Sequence, residues 1–166
     1  MQRGQIVLVD TNIIIEAVRT RSWNALTSSF TLETVGKCLE EARTGDPMRR
    51  DYVPVDDKAL GGLSKVNPVT PLELMSLAVA LTTADELDAG ERELFAHALR
   101  RKDAWIATCA DRAALLAAFK LGWMERMVSL ESLVHFAGAR PDLKPHFGER
   151  WLSEVRTAFL LQGGLK

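Results

Sequence analysis

Little in this sequence marks an extreme class. The 21 Lys and Arg nearly cancel the 22 Asp and Glu, which leaves a formal net charge of -1. Without a basic excess there is no long-range field to draw in nucleic acid, so any such binding must be local. Cysteine is scarce: Cys38 and Cys109 are far apart and form no C-x-x-C pair. Neither a zinc site nor a redox pair is indicated, and both read as small core residues. No apolar run approaches the roughly 20 residues that span a bilayer. The opening Met-Gln-Arg-Gly leads into a short apolar strand rather than a secretion signal, so the cytoplasm is the expected location. Internal repeats and low-complexity tracts are also lacking.

What is present suits one globular domain: 166 residues, 47% hydrophobic and 26% charged, with both signs interspersed. Ile6-Val7-Leu8-Val9 is a continuous aliphatic run, the pattern of a strand buried on both faces of a parallel sheet. Asp10-Thr11-Asn12 ends it at a helix start. A second strand is expected at Phe30-Thr31-Leu32 with a helix from Thr34 to Ala42. Met48 to Pro71 reads as a connecting loop, and helices follow at Pro71 to Thr82 and Ala89 to Arg101. Ala104 to Cys109 is a third strand, with Arg112 to Leu121 the helix after it. Met127-Val128 reads as a short fourth strand before a helix capped by Ser129. Strands alternating with helices predict an α/β three-layer sandwich with a mainly parallel central sheet. Residues 139–166 are expected to be a linker and a C-terminal helix that packs on the domain or on a partner chain.

Ligands of open parallel α/β sheets bind beyond the carboxyl ends of the strands. Here acids recur at that edge: Asp10 after the first strand, Glu33 after the second, Asp111 after the third, and Glu91 at a helix start. Converging carboxylates repel unless cations neutralise them or some take up protons. Hard oxygen ligands favour Mg²⁺ or Mn²⁺, and such an ion can activate water against a phosphodiester. Thr11 and Thr108 can hold carboxylates by hydrogen bonds, and Asn12 can bind a metal-bound water.

Three segments then resemble the PIN-domain family: Val-Leu-Val-Asp-Thr-Asn-Ile-Ile-Ile near the N-terminus, Leu87-Asp88-Ala89-Gly90-Glu91-Arg92-Glu93-Leu94, and Trp105 to Asp111 with Arg112-Ala113. Order and spacing agree over roughly residues 5 to 135, so residues 1–138 form the expected PIN-like domain. The resemblance implies a metal-dependent ribonuclease with Asp10, Glu91 and Asp111 as catalytic metal ligands, and Asn12 and Thr108 as supporting polar residues. The family's second acid lies in the early turns of the helix after its second strand, where this chain has Cys38 or Leu39. Glu33 is the expected replacement, because Glu40 and Glu41 lie about two helical turns, on the order of 10 Å, further on. The resemblance permits, without establishing, a toxin role with an antitoxin or other protein partner, and a homodimer.

Blander readings stand beside these. Asp10 and Asp111 can be helix caps, and Glu91 a first-turn acid favoured by the helix dipole. His97, His135 and His146 have no metal-ligand spacing. Trp105, Trp123 and Trp151 read as packing residues, while Trp23, near Arg19 and Arg21, could approach a nucleic-acid strand. Arg100-Arg101-Lys102 reads as a solvated helix end, and that run or Arg49-Arg50 could contact phosphates. The competing function is a PIN-like module that binds RNA or protein without cutting. A phosphotransfer domain fits less well, lacking an acidic pair before its aspartate and a suitably placed Lys.

Overall fold

A computed structural model of the chain describes residues 1–45, 48 and 52–163; Arg49-Arg50 lies outside the described residues. Its centre is a four-stranded sheet in the order β3-β2-β1-β4, every pairing parallel. β1 (Ile6–Val9) has β2 (Thr31–Val35) on one side and β4 (Trp105–Thr108) on the other, and β3 (Lys65–Asn67) is the edge beyond β2. Parallel neighbours require crossovers, and helices supply them on both faces. Leu8 and Val35 belong to the apolar layer with Leu94, Leu115 and Phe159. Val7, Val9 and Leu32 belong to the opposite layer with Ile13, Leu26 and Leu133. The alternation of side chains along a strand therefore divides two cores, an arrangement compatible with a three-layer sandwich.

The helices around the sheet are α1 (Thr11–Arg19), α2 (Trp23–Ser29), α3 (Gly36–Arg43), α4 (Pro71–Ala80), α5 (Ala89–Arg100), α6 (Arg112–Lys120), α7 (Leu130–Phe136) and α8 (Glu149–Gly163). None of the described helices is long and apolar enough to cross a membrane. α8 packs on its own domain: Leu152, Val155 and Phe159 are buried in the core shared with α6. The segment before it is anchored as well. Buried Glu16 on α1 accepts two hydrogen bonds from Arg19 and one from the Lys144 backbone N–H, and Arg19 also donates to the Asp142 carbonyl.

Several boundaries differ from those expected. The second strand runs on to Val35 because Thr34 donates its hydroxyl to the Val9 carbonyl at 2.7 Å, which ties the strand to β1, and the helix then waits for Gly36. α2 and β3 were not anticipated from sequence. α2 forms because Trp23 and Leu26 fall on one buried face, followed by Phe30. This also removes Trp23 from any nucleic-acid strand, since it is 2% exposed and its indole N–H is bonded to the Gly61 carbonyl. Met127-Val128 makes one isolated bridge to Ala107 rather than a strand. The Met127 carbonyl is taken by the Arg156 guanidinium, and Ser129 at once caps α7, so the ladder cannot continue.

Candidate active site

Three helices begin at one end of the sheet, each with an aspartate at its cap. Asp10 joins β1 to α1 and accepts from the Ile13 N–H at 2.8 Å. Asp111 caps α6 through the Ala113 and Ala114 N–H groups at 2.6 and 3.2 Å. Asp88 caps α5 and closes a reciprocal box with Glu91, whose backbone N–H donates to Asp88 at 2.7 Å while its Oε2 accepts from the Asp88 N–H. Capping is therefore real, but it occupies only one oxygen of Asp10 and one of Glu91.

The other oxygens carry the chemistry. Asp10 Oδ2, Glu91 Oε1 and Thr108 Oγ1 are buried without a hydrogen-bond partner among the described residues. Thr108 pairs in register with Val9, so it ends β4 level with the residue that precedes Asp10. Buried polar atoms are nearly always satisfied, and three orphans around one strand end point to something the protein itself does not supply. Burial pushes the Asp10 carboxyl up to about 7, with Asp88 and Asp111 adding to the rise and the Ile13 N–H and Cys109 thiol opposing it. Burial and the neighbouring Asp88, Asp10 and Asp111 push Glu91 up to about 8. These are the two remedies available to crowded carboxylates, protons or a cation.

Glu33 does not join this group. Its side chain lies within β2, opposite Leu8, and it accepts from Arg101 at 2.6 Å and from the Asn67 amide at 2.9 Å. Burial would raise its pKa, but Arg101 and Asn67 outweigh that and hold it below the usual range. The expectation that it completes the site is corrected: the strand continues two residues past it, so Glu33 is not at the carboxyl edge. Arg101, expected in a solvated run, is consumed by the same contact and by Asp103.

Glu41 is the glutamate that reaches the helix starts. Its Oε2 accepts from the Thr11 hydroxyl at 2.8 Å and its Oε1 from the Gly90 N–H at 3.2 Å. Distance along α3 alone would keep Glu41 away, but α3 packs on both α1 and α5 and carries that residue back to their first turns. Thr11 thus does hold a carboxylate. Gly90 makes the approach possible, since a Cβ there would lie 2.5 Å from Glu41 Oε2 and 3.1 Å from Cys38 Sγ. Asn12 is exposed and borders a neighbouring pocket. Asp88 also lies beside these acids, and its signal in the sequence is the Asp-x-x-Glu capping pattern itself.

Among the described residues, no group of three or more His, Cys, Asp or Glu side chains has the arrangement to hold a metal ion as it stands. Two orphaned carboxylate oxygens, with raised pKa values that a cation would relieve, nevertheless suit a hard divalent ion, and the buried Cys109 thiol lies against Asp10 as well. Comparison of the chain with known protein families, with characterised proteins and with solved structures gives no significant match.

Proposed function

We propose that this chain is a PIN-like, metal-dependent endoribonuclease whose centre is Asp10, Glu91 and Asp111, supported by Glu41 and Thr108. The observation that carries the reading is the set of buried oxygens on Asp10, Glu91 and Thr108 that have no partner among the described residues, at the starts of α1 and α5 and at the end of β4. Mg²⁺ or Mn²⁺ bound there would supply charge neutralisation at the phosphodiester and an acidified water. Asp10 and Asp111 would contribute carboxylate oxygens from rigid caps, and Glu91 from the first turn of α5. Glu41, fixed by Thr11 and Gly90, holds the α1 and α5 termini in register. Thr108 presents a hydroxyl from the end of β4. The helix N-termini also aim N–H dipoles at the place where a phosphate would sit.

One observation favours a second reading. With Glu33 paired to Arg101 and no ready-made chelate among the described residues, a PIN-like module that binds RNA or protein without cutting gains weight. Cleavage of a mixed pool of structured and single-stranded RNAs, with Mn²⁺ or Mg²⁺ and with EDTA, separates the two. The nuclease reading expects metal-dependent cutting that falls at least about a hundredfold in Asp10→Asn, the order lost when one electrostatic stabiliser is removed. A folded chain that binds RNA but cuts none of it under either metal would establish the binding module instead.

A further inference from the structure

Beside the carboxylates lies a pocket of about 240 Å³ that the cutting chemistry does not use. Its lining comes near the site along the chain: Asn12 is two residues after Asp10 on the first turn of α1, and Ala42 follows Glu41 on α3. From Asn12 it runs along α1 past Ile15 to Arg19, which is about 10 Å of helix. Its lining includes two rings, Tyr52 and His146, and His146 lies against Phe147 at 4.2 Å between centroids.

We propose that this pocket seats one unpaired nucleobase of the RNA, the base of the nucleotide next to the phosphate held at the carboxylates. The proposal rests on the nuclease reading for the position of that phosphate. The volume, room for about eight waters at ~30 Å³ each, suits a single heterocycle and not a base pair. Tyr52 and His146 bring aromatic rings to the lining, and aromatic rings with polar edge groups are the usual seat of a splayed RNA base. Edge partners are at hand, because Asn12 and Lys144 are exposed at the rim and their side chains make no hydrogen bond among the described residues. The Glu16–Arg19 pair fixes the floor, and the Lys144 backbone bond to Glu16 fixes the segment that carries His146. Substrates that cannot expose a base, such as continuous duplex, are then poor ligands.

The test is equilibrium binding, by fluorescence anisotropy, of a short labelled single-stranded RNA to the full-length Asp10→Asn chain. It is repeated with the matching duplex, with an oligonucleotide carrying a central abasic site, and with Tyr52→Leu or His146→Ala added. Tyr52→Leu retains apolar bulk, and melting curves confirm that each variant is folded. The proposal expects the single strand to bind at least about tenfold more tightly than the duplex, and each ring substitution or the abasic site to cost about tenfold. Single-strand affinity unchanged by Tyr52→Leu, by His146→Ala and by the abasic site overturns it, even if the wild-type chain cuts RNA. Ring-dependent single-strand binding by a chain that cuts nothing upholds the pocket while removing the nuclease.

Discussion

Asp10 sits 1% exposed with one oxygen bonded to the Ile13 N–H and the other without a partner among the described residues. A residue that only capped a helix would gain nothing from that second, desolvated oxygen. The consequence can be read in pH. Asp10 is raised from 3.8 to about 7 and Glu91 from 4.5 to about 8, so the folded chain keeps protons that the unfolded chain releases. Their contribution is full below about pH 4 and is lost as pH rises through about 7 to 8, so stability falls across that window. Thermal melts of the metal-free protein should show the fall, and Asp10→Asn should flatten it, because the amide removes one titration and relieves Glu91. At pH 8, Glu91→Gln is expected to raise Tm by about 2–4 °C, equivalent to ~1 kcal/mol for a chain of this size. A lower Tm in Glu91→Gln at pH 8, or a flat wild-type profile, would show that the carboxylates are not crowded. Gly90→Ala should act oppositely, costing about 1–3 kcal/mol in denaturant unfolding, because the new Cβ meets Glu41 and Cys38.

At the scale of elements, the acids come together because α1, α5 and α6 start at one end of the sheet and α3 packs on two of them. Glu33 belongs to another structure, a buried tie in which Arg101, at the end of α5, joins β2 while Asn67 of β3 bonds the same carboxylate. Glu33→Gln should therefore leave Mn²⁺ affinity unchanged while lowering stability by about 1–2 kcal/mol, since a neutral amide replaces the buried carboxylate that Arg101 and Asn67 bond, while Arg101 keeps Asp103 as its other partner. A large loss of metal affinity in that variant would return Glu33 to the site. The same contrast shows what the sequence made legible. Asp10, Glu91 and Asp111 were readable because each sits at a strand-to-helix or helix-start signal that is local in the chain. Glu41 was not, because its place depends on the packing of α3 against α1 and α5, across 30 residues to Thr11 and 49 to Gly90. β3 was unreadable for a related reason: three residues carry too little periodicity, and only pairing with β2 makes them a strand.

Over the whole molecule, the C-terminal part closes the domain. α8 buries Leu152, Val155 and Phe159, and the segment ahead of it is tied to α1 through Glu16. Removing the chain from Glu149 onward should expose a core face shared with α6 and abolish cooperative unfolding, as followed by circular dichroism. A truncated chain that melts cooperatively at the same temperature would show that α8 is an appendage. The near-zero net charge also becomes intelligible at this scale, because binding would rest on the local site and on the pocket beside α1 rather than on a field around the molecule.

The central claim, that Asp10 and Glu91 are held in wait for a divalent cation, is tested most directly by calorimetric titration of the metal-free chain with Mn²⁺ near pH 7, in buffers of different ionisation enthalpy. One saturable site is predicted, its filling releases protons, and both the binding and the proton release are lost in Asp10→Asn. No binding by the folded wild-type chain, or binding that Asp10→Asn leaves unchanged, would contradict the account.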